Sequence, residues 1–261
     1  MTRSPLLSLG IVAGLTIGFS GHASADDDVR EEFHQTYKLT ANGSVRLENV
    51  NGDVMIKAWD RNEVQVDAVK TASSERGLRE TRIVVDAEAD EIRIETEHPG
   101  EHGSWWDRLT IHPGSVDYTL TVPRNARLRE IELVNGRLTV EGVAGSIRAS
   151  TVNGRLDARG LAADADLSTV NGSMVLSFAL LGQSQHVSLE SVNGEIEVTL
   201  PPNADTDVSA STVSGRITTD FSLPIDRGRW VGESLDGSIG GGNARLRVSN
   251  VNGRISILKS K

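Results

Sequence analysis

Apolar and polar residues alternate along most of the chain around one short motif. Six of the seven Asn-Gly pairs follow a valine. These triplets are Val50-Asn51-Gly52, Val134-Asn135-Gly136, Val152-Asn153-Gly154, Val170-Asn171-Gly172, Val192-Asn193-Gly194 and Val251-Asn252-Gly253. Aliphatic residues stand four positions before and three positions after the Asn, as Ile131 and Leu138 do, and polar residues such as Glu132 lie next to them. This period of two predicts a half-buried β-strand on each side of the pair.

The motif recurs at a nearly constant interval. Val213-Ser214-Gly215 and Leu235-Asp236-Gly237 are degenerate copies of the triplet. With them, the glycines of the second half fall at 136, 154, 172, 194, 215, 237 and 253. A period of about 20 residues marks a supersecondary unit. Because Asn and Gly tolerate a positive φ, each pair is expected to turn the chain sharply between two short strands.

Two all-β architectures fit this unit. The constant period favours a β-solenoid, in which coils of about 20 residues stack about 4.8 Å apart and like residues form ladders. Asn side chains would then hydrogen-bond along one ladder, and stacked Val, Ile and Leu would fill the interior. The alternative is an antiparallel β-meander in which each Asn-Gly closes a hairpin.

The first half is less regular but also strand-rich. Alternation predicts strands at 44–58, 63–70, 81–88, 91–96 and 116–122. Residues 73–79 are expected to form a loop or a short helical turn. The chain therefore divides into an acidic N-terminal segment (26–43), a β-strand region (44–123) with a loop insertion at 97–115, and the regular repeat region (124–261), all after a leader (1–25).

The leader has the features of a secretory signal peptide. Arg3 precedes the apolar stretch 6–19, and Ala23-Ser24-Ala25 predicts cleavage after Ala25. The apolar stretch is too short to span a bilayer as a helix, and no second one follows. We expect export to the periplasm or cell surface, no transmembrane segment in the mature form, and a solvated tail at 26–43.

Composition narrows the class of protein. Aromatic residues make up only 4% of the chain, so small aliphatic side chains must fill the core. The net charge of -9 disfavours nucleic acid as a partner. The absence of cysteine excludes a disulfide scaffold and a thiol nucleophile.

Several motifs together point to a known family. They are Val116-Asp117-Tyr118-Thr119-Leu120-Thr121-Val122-Pro123, the repeated Val-Asn-Gly-x-aliphatic units, Leu200-Pro201-Pro202, Gly240-Gly241-Gly242 and the closing Val251-Asn252-Gly253-Arg254-Ile255. As a set they resemble a bacterial family of exported β-strand-repeat proteins, labelled candidate adhesins and otherwise described as a domain of unknown function. The resemblance covers most of the mature chain and implies its fold. It implies no catalytic motif.

The loop insertion carries candidate binding residues. His98, His102 and His112 lie among carboxylates and are able to hold a transition metal if the loop folds back on itself. The alternative is a plain exposed loop. Trp105 and Trp106 could stack on sugar rings or on a partner's surface, or they could be buried against the N-terminal strands.

A second candidate is a basic stripe along the repeats. Its members hold the same place after the Asn-Gly: Arg137, Arg155, Arg216 and Arg254. Ser173, Glu195 and Ser238 interrupt the row. Such a stripe could attract an anionic envelope polymer. Alternatively, acidic residues on neighbouring ladders neutralise it, namely Asp157, Glu197, Glu130, Glu132 and Glu190.

The sequence contains no recognisable catalytic or cofactor-binding motif. We therefore expect a non-enzymatic, exported envelope protein that presents a rigid surface to a polymer, a glycan or a protein, and that needs no cofactor. One alternative is a carbohydrate-active enzyme that uses Glu195 and Glu197 on a ladder face. The other is a metal-binding envelope protein.

Overall fold

The chain is built almost entirely of β-strands. The structure, a computed structural model, describes residues 28–97, 114–182, 184–227 and 232–260. Its N-terminal elements are β1 (Val29–Lys38), β2 (Ser44–Asn51), β3 (Val54–Trp59), β4 (Glu63–Ala72), α1 (Glu75–Glu80), β5 (Arg82–Ala87), β6 (Glu91–Glu97) and β7 (Ser115–Pro123). The short helix α1 lies where a loop or helical turn is expected, and the Ser74 side chain accepts a hydrogen bond from the Gly77 N–H at its start.

The repeat region continues this pattern with shorter strands. The next eight are β8 (Arg127–Asn135), β9 (Leu138–Glu141), β10 (Ile147–Asn153), β11 (Leu156–Leu161), β12 (Ala165–Asn171), β13 (Met174–Phe178), β14 (His186–Asn193) and β15 (Ile196–Leu200). The last six are β16 (Thr206–Ser214), β17 (Ile217–Thr219), β18 (Ile225–Arg227), β19 (Glu233–Ile239), β20 (Ala244–Asn252) and β21 (Ile255–Lys259). Among the described residues, no helix is long and apolar enough to cross a membrane.

The strands form two large mixed sheets. The shorter sheet has 10 strands in the order β1-β4-β7-β3-β9-β11-β13-β15-β21-β17. The longer sheet has 11 strands in the order β18-β19-β16-β20-β14-β12-β10-β8-β2-β6-β5. The centre of each sheet is parallel. The shorter sheet has antiparallel strands at its β1 end, and the longer sheet has them at both ends.

Each Val-Asn-Gly marks the passage from one sheet to the other. The strand before it, such as β10, belongs to the longer sheet, and the strand after it, such as β11, belongs to the shorter sheet. Successive repeats pair in parallel and in register, so that Asn153 lies opposite Asn171. The motif is therefore a corner between sheets, and the alternative of a hairpin at each Asn-Gly is not what these repeats show.

The order of the layers departs from the order of the sequence in two places. Strands β2 and β3 lie between β6/β7, which follow them in the sequence, and the β8/β9 layer. Strands β20 and β21, the last two of the chain, lie between the β14/β15 layer and the β16/β17 layer. The corner at Gly253 consequently stacks between the corners at Gly194 and Gly215. The repeated motif does not specify which layers pair with each other, because the strands of all layers carry the same motif and can pair in the same register.

One aliphatic core fills the space between the sheets. A single cluster of buried residues runs from Leu39 to Ile257. The strand residues four before and three after each Asn point inward, and Ile131 and Leu138 are both 0% exposed. Tyr118 is the largest fully buried side chain, and its hydroxyl lies 2.7 Å from the Thr96 hydroxyl. Burial raises the pKa of Tyr118 to about 12.

Two sequence-based expectations are corrected by the topology. Leu235-Asp236-Gly237 is not a corner but part of β19, which pairs antiparallel with β16. Residues 29–38, expected within a solvated tail, form β1 along the edge of the shorter sheet. The many charged residues of β1 obscure the alternation of apolar and polar positions in its sequence. In the structure, Phe33 and Tyr37 pack against the core, and Glu31 forms an ion pair with Lys70 at 2.8 Å.

Candidate interaction surface

Asparagine side chains form a continuous ladder along the corners. Each amide Nδ2 donates to the Oδ1 of the next layer. The bonds are Asn135 to Asn51 (2.9 Å), Asn153 to Asn135 (3.0 Å), Asn171 to Asn153 (3.1 Å), Asn193 to Asn171 (3.0 Å) and Asn252 to Asn193 (2.9 Å). The expected asparagine ladder is confirmed, and it ties the layers together on the outside of the stack.

The glycines bring the corner backbones into direct contact. The Gly172 N–H donates to the Asn193 carbonyl at 2.9 Å. A Cβ on Gly172 would lie 1.6 Å from the carbonyl oxygen of Gly154, so a side chain has no room. A positive φ is a lesser requirement, because Gly136 has a φ of 147° but Gly172 is not among the positive-φ glycines, and no corner asparagine has a positive φ. Glycine is needed here chiefly for close approach, and asparagine for its amide.

The valines of the triplets form an exposed apolar column. We define the valine column, in stack order, as Val50, Val134, Val152, Val170, Val192, Val251 and Val213. Each is between 37% and 54% exposed. The residue before each valine, such as Thr151, points inward, so alternation turns the valine outward. An aligned apolar row of this kind is characteristic of an interaction surface rather than of scattered surface residues.

The outer face of the longer sheet also contains a shallow polar depression of about 580 Å³. We call it the arginine groove, after its four guanidinium groups: Arg129 on β8, Arg148 on β10, and Arg245 and Arg247 on β20. The rest of its polar lining is Ser146, Asp164, Asp166, His186 and Ser188. A smaller depression of about 350 Å³ adjoins it, shares Arg245 and Arg247, and adds Asp207 and Asp236.

The arginines of the groove differ in their partners. Arg148 forms an ion pair with Asp166 at 3.0 Å. Among the described residues, Arg129, Arg245 and Arg247 take part in none of the ion pairs or side-chain hydrogen bonds. Sequence reasoning missed this groove. The available signal was that Arg245 and Arg247 alternate with the buried Leu246 and Val248 and must therefore face outward.

The basic stripe predicted from the sequence lies along the corners. In stack order the residues after the glycines are Asp53, Arg137, Arg155, Ser173, Glu195, Arg254 and Arg216. Arg155 pairs with Asp157 at 2.9 Å and Arg254 pairs with Glu195 at 3.5 Å. Arg137 and Arg216 have no ion pair with any described residue. Ser238 does not interrupt the row, because it lies in β19 and donates to Asp207.

The remaining predicted site residues divide into two groups. His98, His102, His112, Trp105, Trp106 and the cleavage site at Ala25 lie outside the described residues. Glu195 and Glu197 lie at and just after the Gly194 corner, where Glu195 is engaged by Arg254. Within the described ranges, no three His, Asp or Glu side chains come close enough together to hold a metal ion.

Two opposed sheets and their stacked Asn-Gly corners define the class: an all-β protein of in-register repeats. The chain belongs to the Toastrack DUF4097 family, whose model matches residues 32–258. No curated protein is similar enough in sequence to match it.

Two solved structures are similar to this chain at low sequence identity. A candidate cell adhesion protein from Clostridium sporogenes is 12% identical with a TM-score of 0.53, over 89% of this chain and 100% of that one. A candidate adhesin from Bacteroides fragilis is 12% identical with a TM-score of 0.42, over 87% of this chain and 97% of that one. The first of these likenesses supports the fold alone.

Proposed function

We propose that this protein is a non-enzymatic, exported β-solenoid of the cell envelope whose longer sheet serves as a rigid interaction surface. The valine column is the observation that carries the proposal. It places identical apolar side chains in register on consecutive strands. With strands about 4.8 Å apart, the column extends over roughly 29 Å.

The neighbouring ladder explains why this surface is rigid. Every valine of a complete triplet is followed directly by an asparagine whose amide is bonded to the next layer. At the corner glycines the backbones of adjacent layers are in direct contact. A surface held in this way loses little conformational freedom when it binds a partner, which favours affinity.

Two further observations support a place in the envelope. The N-terminal sequence has the features of a secretory signal ending at Ala25. The Clostridium sporogenes protein that shares the fold is described as a candidate cell adhesion protein. Binding without turnover is the activity that this combination favours.

The valine column is tested by changing its charge. A tagged chain starting at Asp26 is incubated with whole cells and isolated envelope fragments, and bound protein is measured. We expect the double variant Val152→Glu/Val170→Glu to bind at least ten-fold less than the wild type. Val84→Glu/Leu180→Glu is the matched control, because it also adds two carboxylates and because Val84 and Leu180 are as exposed as Val170, at 41%, but lie outside the column.

Thermal unfolding of both variants verifies that they fold. Equal binding by the wild type and the double variant would refute the role of the valine column. Recovery of the tagged full-length chain from the cytoplasm alone would refute the envelope location.

A further inference from the structure

We infer that the arginine groove binds an extended acidic polysaccharide whose sugars carry carboxylates. This inference rests on the proposed function, which it deepens by naming a ligand class and a second site on the same sheet. The groove lies across strands β8, β10, β12, β14 and β20, parallel to the direction in which the layers stack.

The charge of the groove is local and contrary to that of the whole chain. Its lining holds four arginines and two aspartates, although the chain as a whole carries a net charge of -9. Diffuse attraction of anions by such a chain is unfavourable, so an anionic ligand must be held by this particular arrangement. Guanidinium groups bind carboxylates through two parallel hydrogen bonds, and three of the four arginines are free of ion pairs with described residues.

The length of the groove favours a polymer over a small molecule. Arg129 and the pair Arg245 and Arg247 are separated by four strand spacings, which is roughly 19 Å. The depression is shallow and open along the sheet, whereas small-molecule sites bury most of their ligand. A chain of sugars lying across the strands would meet both ends of the groove at once.

Carboxylates beside the arginines point to an acidic sugar rather than to a polyanion without hydroxyl groups. Asp166 lies next to Arg148, and Asp207 lies opposite Arg245 on the neighbouring strand. Such alternation disfavours a polyanion whose units offer no hydrogen-bond donor to the aspartates, as in polyphosphate. It suits a polymer that offers both carboxylates to arginine and hydroxyl groups to aspartate, since an ionised aspartate only accepts hydrogen bonds.

Oligogalacturonate of about ten sugars is the probe for this inference, and titration calorimetry measures its binding. We expect the wild type to bind it, and to bind a neutral cello-oligosaccharide of similar length at least ten-fold more weakly. Raising the salt concentration should weaken the binding of oligogalacturonate, because exposed ion pairs are screened. Equal binding of the neutral sugar, or tighter binding of polyphosphate, would overturn the assignment.

Paired variants locate the site. Arg245→Gln/Arg247→Gln, at one end of the groove, should lower the affinity for oligogalacturonate at least ten-fold. Arg129→Gln/Arg148→Gln, at the other end, should also lower this affinity. The matched control is Arg137→Gln/Arg216→Gln, which removes two equally unpaired arginines from the corners and should leave affinity within two-fold. An equal loss in the control would mean that overall charge, and not the groove, binds the sugar.

The two proposals fail separately. The Val152→Glu/Val170→Glu variant should still bind oligogalacturonate like the wild type. If the wild type binds envelope fragments through the valine column but does not bind oligogalacturonate, the inference about the groove is wrong and the proposed function stands.

Discussion

The two edges of the stack follow different rules. At the corner edge, six layers turn through Val-Asn-Gly and a seventh turns through Val213-Ser214-Gly215, and the turning backbones touch. At the loop edge, the connections differ from layer to layer: 142–146 joins β9 to β10, 162–164 joins β11 to β12, and 179–185 joins β13 to β14. The glycine spacing grows from 18 to 22 residues where the longest of these connections occurs. The fold therefore fixes one edge strictly and accommodates changes in length at the other.

The largest effect should come from a side chain at the corner edge. We expect Gly172→Ala to lower the free energy of unfolding by about 3 kcal/mol or more, because its Cβ would overlap the Gly154 carbonyl. Urea unfolding measures the change. Gly160→Ala is the control: Gly160 has φ of +72° but no atom within 4 Å of a Cβ, so backbone strain alone should cost about 1–2 kcal/mol. Equal losses would show that layer contact at the corner is unimportant.

The ladder should contribute less than the backbone contact. Asn171 donates to Asn153 and accepts from Asn193, so Asn171→Ala removes two hydrogen bonds and should cost about 1–2 kcal/mol. Asn252, near the end of the row, makes one such bond, and Asn252→Ala should cost about half as much. Chemical denaturation of both variants tests this ratio. A larger loss at Asn252 would contradict a ladder of equivalent rungs.

A hydrogen-bonded carboxylate at the loop edge should make the stability of the protein depend on acid pH. The Asp205 carboxylate accepts hydrogen bonds from the Asn243 side chain and backbone, and these hold the pKa of Asp205 below its usual value. Its contribution to stability is therefore present above the pKa of about 3.9 that an unfolded aspartate has, and is lost as pH falls through the lower folded value. Between pH 5 and pH 2, the Tm of the wild type should fall more steeply than that of Asp205→Asn.

Asn243→Ala should flatten the same pH profile, because it removes the main donor to Asp205. If both variants keep the full acid dependence of the wild type, Asp205 is not the group responsible.

The smallest effect should come from lengthening a loop. Inserting Gly-Ser between Ala162 and Ala163 should change the free energy of unfolding by less than about 0.6 kcal/mol, since loop closure depends only weakly on length. The same insertion directly after Gly154 should be far more damaging, because it separates two bonded corner layers. Equal effects at the two places would remove the distinction between the edges.

The sequence predicted the repeat well because each corner depends on local residues. The Val-Asn-Gly period alone indicates the strands from β8 to β15, their parallel stacking and the asparagine ladder. It does not single out the valines as a surface feature, although their outward position follows from the inward residue that precedes them, such as Thr151. The motif also predicts a corner at Asp236-Gly237. In the structure these two residues lie within the antiparallel strand β19, so an acidic residue followed by glycine does not by itself mark a corner.

The arginine groove could not be found in the same way. Its residues come from several strands, and each arginine taken alone is an ordinary outward residue of a half-buried strand. Only the register that places Arg245 beside His186, together with the insertion of β20 next to β14, brings them onto one surface. Long-range strand pairing, rather than any local motif, creates this candidate site.

The placement of β20 and β21 sets an order of events for folding. Because the last two strands of the chain occupy an internal layer, β16 and β17 have no partner in the parallel stack until residues 244–259 are available. A chain shortened at its C-terminus would lose an interior layer, and β16 to β19 would have nothing to dock on. Completion of this half must therefore wait until residues 244–259 have been synthesised and, in an exported protein, translocated.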